Sequence, residues 1–80
     1  MGAEMAWTAV DDFLESYVRW RERCDEVAGA YARWAASHSA ERFLAFAAYR
    51  DALDLEEAAA HSYRYCTQRL RRTPLAVPAT

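Results

Sequence analysis

Few residues in this chain of 80 are of types that catalyse reactions or bind metals. It contains two histidines, two cysteines and twelve carboxylates. His38 is flanked by Ser37 and Ser39 and has no acid beside it to orient its ring, so it lacks the partner that a nucleophilic triad requires. The chain has no glycine-rich phosphate loop and no paired-cysteine motif. These residues predict no enzyme active site.

A metal site is the nearest enzymatic alternative. Glu57 and His61 lie four positions apart, beside Glu56. Ferritin-like di-iron bundles instead use Glu-x-x-His at i, i+3, together with further inward carboxylates. The spacing here differs, so we expect no metal and no cofactor, and a metal-binding helical bundle is kept as an alternative.

Both cysteines fall on apolar stripes. If the chain turns near His38, Cys24 and Cys66 lie about 21 Å apart along the helix axis. A disulfide cannot bridge that distance. We therefore expect two free thiols that pack as small apolar groups in a reducing compartment.

The sequence shows no secretory signal and no membrane span. Four acids lie in the first twenty residues, without a basic start and an apolar core. The longest uncharged runs within the helical part, 34–40 and 43–49, are seven residues each, against the ~20 that a membrane helix needs. We expect a cytoplasmic protein without a membrane partner.

The element that positions most of these residues is a long amphipathic helix. Apolar residues recur at alternating steps of three and four along 10–34. They form two neighbouring heptad lines, Val10-Tyr17-Cys24-Tyr31 and Phe13-Trp20-Val27-Trp34. Thr8 and Asp11 resemble a capping box. The pattern predicts a first helix over about 8–36, after a frayed lead-in at 1–7.

Ser37, His38 and Ser39 predict a turn at 37–39, with Ser39 as the N-cap of a second helix over about 40–72. That helix has a narrower, alanine-rich stripe against which large aromatic residues can pack. Two prolines and no charge follow, which predicts a mobile tail at 73–80. The fold class is an all-α antiparallel two-helix hairpin, and one continuous helix is the alternative.

Antiparallel packing brings opposite charges to matching heights. Arg21 interrupts the first stripe and lies level with Glu56, the one carboxylate on the second stripe. We predict an inward ion pair between them, which would favour one register.

Self-association follows from the apolar surface. The second helix can cover only about one stripe of the first, and a domain of this size is only marginally stable alone. The predicted interface consists of Phe13, Tyr17, Trp20, Val27 and Trp34. A homodimer would form a four-helix bundle with Trp20 as its anchor.

The end of the second helix carries a basic patch of Arg64, Arg69, Arg71 and Arg72 beside Tyr63 and Tyr65. A nucleic-acid-associated factor is therefore one alternative. Since the net charge is −2 and two long helices do not form a helix-turn-helix, we regard nucleic acid as an unlikely partner.

Two long helices with Trp34 near the central turn resemble the Trp-x-Gly helical hairpins exported by type VII secretion. Trp34-Ala-Ala stands at the motif position without its glycine, and neither Tyr49, Tyr63 nor Tyr65 begins a Tyr-x-x-x-Asp/Glu export signal. The resemblance covers the hairpin shape alone and implies an exported protein as an alternative.

All ten basic residues are arginine, while lysine, asparagine and isoleucine are absent, which is typical of GC-rich bacterial genomes. The function that we expect is a small, non-catalytic helical interaction or assembly module in a bacterial cytoplasm. Its expected partners are a second copy of itself and another protein.

Overall fold

The computed structural model describes the backbone of residues 2–74 and the side chains of residues 6–74. Within that range the chain forms two helices, α1 (Gly2–Ala36) and α2 (Ala40–Arg72), joined by residues 37–39. Asp12 contacts Arg69 at one end and Trp34 contacts Phe46 at the other, so the helices run antiparallel. The Cα atoms span 66 × 17 × 14 Å. The predicted all-α hairpin is confirmed, which excludes one continuous helix.

The first helix begins six residues before the position predicted from Thr8. The structure places the backbone of 2–8 in α1, so the predicted frayed lead-in is wrong over 2–7. Alanine, methionine and glutamate in this segment favour the helical state, and an acid at Glu4 suits the positive end of the helix macrodipole. Thr8 consequently lies inside the helix and does not cap it.

Hydrogen bonds between Ser37 and the last turn of α1 stabilise the turn. The Ser37 amide and hydroxyl both donate to the Trp34 carbonyl, at 3.1 and 2.7 Å. Ser39 occupies the N-cap position of α2, as predicted, but its side chain makes no capping hydrogen bond. Its backbone has φ 54° and ψ −126°, in the left-handed half of the map that glycine favours.

The second helix ends at Arg72, and Thr73 closes it. The Thr73 amide donates to the carbonyls of Arg69 and Leu70, and its hydroxyl donates to the Arg69 carbonyl at 2.7 Å. Pro74 follows and restricts Thr73 to an extended conformation, observed at φ −82° and ψ 119°. The remainder of the predicted tail, 75–80, lies outside the described residues.

The two helices meet along a line that we call the seam. Its α1 members are Ala9, Phe13, Ser16, Trp20, Arg23, Val27, Ala30 and Trp34, and its α2 members are Ala45, Tyr49, Ala52, Glu56, Ala59, Tyr63, Cys66 and Leu70. All of them are buried or half-buried and recur at steps of three and four, the period of a coiled coil. Small residues supply the most buried positions. The buried side chains among residues 6–74 are four alanines and Ser16, and none of the large side chains there is fully buried.

Candidate interaction surface

An aromatic cluster joins the two helices in the half of the hairpin nearer the termini. Tyr63 of α2 lies between Phe13, Tyr17 and Trp20 of α1, with ring centroids 5.6, 5.6 and 5.3 Å away. The ring of Trp20 is within 7° of parallel to that of Tyr63. Ser16 lies between these α1 residues, and its hydroxyl donates to the Phe13 carbonyl at 2.8 Å. The bond satisfies the buried hydroxyl, so a small polar residue is tolerated beneath the rings.

A second aromatic cluster lies next to the turn. Trp34 contacts Tyr49 at 5.5 Å and Phe46 at 5.1 Å, and Tyr31 contacts Tyr49 at 5.6 Å. The guanidinium of Arg42 lies 5.3 Å from the centre of the Trp34 ring, within the range of a cation–π interaction. Together the two clusters fix the register of the hairpin at both ends.

One apolar line of α1 differs from its predicted role. Phe13, Trp20, Val27 and Trp34 were expected to remain for a second chain, but the structure places them in the seam. In the neighbouring line of Val10, Tyr17, Cys24 and Tyr31, the two tyrosines are exposed on one side of the seam. Of the five predicted interface residues, Tyr17 alone is classed as exposed, and the other four are half-buried.

One side of the hairpin is largely apolar, and we call it the apolar face. It consists of the positions that directly follow seam positions, because a step of one residue rotates about 100° around a helix. Its exposed apolar side chains, with exposed fractions, are Leu14 (52%), Tyr17 (42%), Tyr31 (52%), Phe46 (39%) and Leu53 (38%). Because both helices are right-handed and run antiparallel, the positions that follow seam positions lie on the same side of the hairpin in α1 and α2. Tyr31 and Phe46 of this side both contact Trp34. Arg21, Arg50, Glu57, Arg64 and Arg71 are the charged, exposed members of this face.

The opposite side of the hairpin is polar on α1. Asp12 and Arg69 form a 2.7 Å salt bridge there, with about two fifths of each side chain exposed. A shallow groove of about 180 Å³ continues from this pair along the helices. It is lined by Asp12, Glu15, Ser16, Arg19, Ala59, Ser62 and Cys66. Leu44, Leu55 and Tyr65 of α2 are exposed on this side.

The predicted ion pair between Arg21 and Glu56 does not form. Arg21 is exposed on the apolar face and Glu56 is half-buried in the seam, and no salt bridge joins them among the described residues. The charged seam residue of α1 is Arg23, which bonds to Glu26 of its own helix at 2.9 Å. Sequence reasoning therefore identified the inward acid but selected an arginine two residues too early.

The arginines of the predicted basic patch do not act as one surface. Arg69 is paired with Asp12, whereas Arg64, Arg71 and Arg72 are exposed. Arg64 belongs to the apolar face, and Arg71 and Arg72 lie in the last turn of α2, where positive charge suits the helix macrodipole.

The candidate chemical residues are dispersed. Cys24 and Cys66 are half-buried free thiols, and His38 is exposed in the turn. Glu57 and His61 are exposed and line an open depression of about 430 Å³ with Asp54, Ala58 and Arg64. Over the described part of the chain, the acids, histidines and cysteines form no group of three or more that could hold a metal ion.

Neither helix, over the residues described, combines the length and hydrophobicity needed to cross a membrane. No protein-family model, curated protein or solved structure matches this chain.

Proposed function

We propose that this protein is a small non-catalytic interaction module that associates with a second copy of itself through the apolar face. The single observation that supports this proposal most strongly is the lack of a closed core. No large side chain of residues 6–74 is fully buried, and five of the eleven exposed large apolar side chains lie along the apolar face. An exposed apolar surface of this extent is typical of a protein–protein interaction site.

The energetics favour association with another helical surface. The exposed parts of Leu14, Tyr31 and their neighbours would gain about 25 cal/mol for each Å² removed from water. A pair of hairpins that packed these faces together would form a four-helix bundle, an arrangement in which every helix has two neighbours. The association of each hairpin with another protein through the same face remains part of the proposal.

Two leucines of α2 provide a matched test. Leu53 lies on the apolar face with an exposed fraction of 38%, and Leu55 lies on the opposite side with 47%. In sedimentation velocity over a range of concentrations, the parent should reach twice the mass of one chain. Leu53→Glu should weaken this association roughly tenfold or more, because it places a charge in an apolar interface.

Leu55→Glu is the control and should leave the oligomer unchanged. Circular dichroism should show that both variants remain helical. The melting temperature of the parent should rise with protein concentration, since association stabilises the folded state by mass action. A parent that sediments as a single chain at millimolar concentration would refute self-association.

A further inference from the structure

The charged residues of the apolar face indicate how two copies would be arranged. Two symmetric ways of packing this face on itself exist. A two-fold axis parallel to the hairpin places both turns at the same end, with α1 of each copy against α2 of the other. A two-fold axis across the hairpin places the turns at opposite ends, with each helix against its own counterpart.

Contacts within one chain define which positions of α1 and α2 lie at the same height. Tyr17 contacts Tyr63, and Tyr31 contacts Tyr49. Interpolation between these pairs places Arg21 level with residue 59. Glu57 is two residues from that height, about 3 Å along the helix axis.

A parallel two-fold axis leaves these heights unchanged and exchanges the chains. Arg21 of one copy would then face Glu57 of the second copy, and the reverse pair would form as well. Tyr17 would face Arg64 of the second copy, because Arg64 directly follows Tyr63. Tyr31 would face Arg50, which directly follows Tyr49. Arg21, Glu57, Arg50 and Arg64 thus each meet an opposite charge or an aromatic ring, whereas Arg71, near the end of α2, lies level with residue 9.

The transverse axis produces poorer pairs. The midpoint of α2 (Ala40–Arg72) is Glu56, so reversal about that point brings Glu57 near Glu57 of the second copy. It also brings Arg50 near Arg64. By the heights given above, residue 56 is level with residue 24, so Arg21 would lie level with residue 27 and would meet no acid. The like charges along α2 also oppose this arrangement.

The size of the face is sufficient. Helices of 35 and 33 residues are about 50 Å long, and the Cα atoms span 17 Å across the hairpin. A rectangle of those dimensions is roughly 850 Å², and a stable interface buries about 800 Å² on each partner. A second hairpin of the same length and width would cover it.

We infer that two copies of this chain pack apolar face to apolar face with their turns at the same end, and that reciprocal Arg21–Glu57 pairs specify this arrangement. The inference rests on the proposed self-association. Each pair lies across the interface and not within one chain, which makes it accessible to a mixing experiment.

Charge reversal at each position supplies that experiment. Arg21→Glu alone places two acids together twice in each dimer, and Glu57→Arg alone places two arginines together twice. Each variant should therefore dimerise roughly tenfold or more weakly than the parent. A mixture of the two variants should restore dimerisation, because both sites of a mixed dimer then hold opposite charges. Because each variant carries only one of the two substitutions, dimerisation that returns on mixing must come from charge pairs between different chains.

A distance measurement provides an independent test. His38 is exposed in the turn. Spin labels at His38→Cys, in a Cys24→Ala/Cys66→Ala background shown to sediment like the parent, should lie within about 30 Å of each other. Opposite ends would separate the labels by about 50 Å, the length of a helix of 33 residues. The long distance, or a mixture that does not recover dimers, overturns the arrangement while self-association stands. A monomeric parent overturns both.

Discussion

Trp20 of α1 and Tyr63 of α2 form an offset stack, with ring centroids 5.3 Å apart and planes 7° from parallel. Tyr63 also contacts Phe13 and Tyr17, so one residue of α2 joins three aromatic residues of α1. Buried Ser16 and Ala59 are small, which lets the backbones approach closely while the rings pack around them.

Replacement of Tyr63 should therefore be costly. Tyr63→Ala removes all three ring contacts and leaves a gap in the seam. We expect the free energy of unfolding to fall by about 2–3 kcal/mol, less than for a fully buried aromatic residue because Tyr63 is half-buried. Urea denaturation followed by circular dichroism at one fixed protein concentration measures this change.

Tyr65 is the matched control, two residues further along α2 and 63% exposed. Tyr65→Ala should change stability by no more than about 0.5 kcal/mol. Equal losses for the two tyrosines would contradict the assigned register of the helices.

Sequence periodicity was sufficient to predict the hairpin and its turn. The three- and four-residue steps predicted two helices, and Ser37 to Ser39 marked the break between them. Both α2 bounds agree with the structure. These features are local, because helix period and turn residues are set by neighbours in the chain.

The sequence did not reveal which side of α1 faces α2. Val10, Tyr17 and Tyr31 are as apolar as the residues that occupy the seam, so hydrophobicity does not distinguish the two lines. Which apolar line of α1 faces α2 depends on the sizes of the side chains that must pack between the two helices. The small side chains of Ala9, Ser16 and Ala30 let the backbone of α2 approach α1 closely, whereas tyrosines at these positions would keep the two backbones further apart. The recurrence of small residues at 9, 16 and 30 was the available signal.

Residues whose side chains contact each other across the two helices have higher residue numbers than residues whose backbones lie at the same height. The side chains of each helix point towards the N-terminus of that helix. Because the two helices run antiparallel, their side chains are displaced in opposite directions along the axis. A turn centred at His38 puts Asp12 level with Arg64, but the salt bridge of Asp12 is to Arg69. Backbone height alone therefore misplaces partners by about one turn.

The Asp12–Arg69 salt bridge should contribute only a small, salt-sensitive stabilisation. Both side chains are about two fifths exposed, so water screens their attraction. A double-mutant cycle with Asp12→Ala and Arg69→Ala should give a coupling energy of about 0.5–1 kcal/mol at low salt. The coupling should decrease in 1 M sodium chloride, where the Debye length is about 3 Å. A coupling that is insensitive to salt would show that the pair acts through packing.

Gly29 offers a stabilising substitution. It lies inside α1, where glycine costs about 0.5–1 kcal/mol relative to alanine. A Cβ atom there would approach only the end of the flexible Arg33 side chain, at 3.4 Å. Gly29→Ala should therefore raise the free energy of unfolding by roughly that amount in a denaturant titration. Ala32→Gly, at an exposed position of the same helix, is the control and should lower the free energy of unfolding by a similar amount. A Gly29→Ala variant that is less stable than the parent would indicate that the glycine is needed for close packing.

Ser39 carries the backbone strain of the turn. It is the one non-glycine residue with positive φ among residues 2–74, and its side chain makes no hydrogen bond that would offset the cost. The Cβ atom of a non-glycine residue in this region is crowded by the backbone, at a cost of about 1–3 kcal/mol. Glycine has no Cβ and occupies the same conformation without that cost.

Ser39→Gly should accordingly stabilise the hairpin by about 1 kcal/mol, since the relief of strain exceeds the greater entropy that glycine has in the unfolded chain. Thermal unfolding followed by circular dichroism at fixed concentration measures the expected rise in melting temperature. Ser37→Gly is the matched substitution on the other side of the turn, and it should destabilise, because it removes the hydroxyl that donates to the Trp34 carbonyl at 2.7 Å. Two serines two residues apart would then respond to the same change with opposite signs. Destabilisation by both would show that residue 39 does not adopt φ 54° in solution.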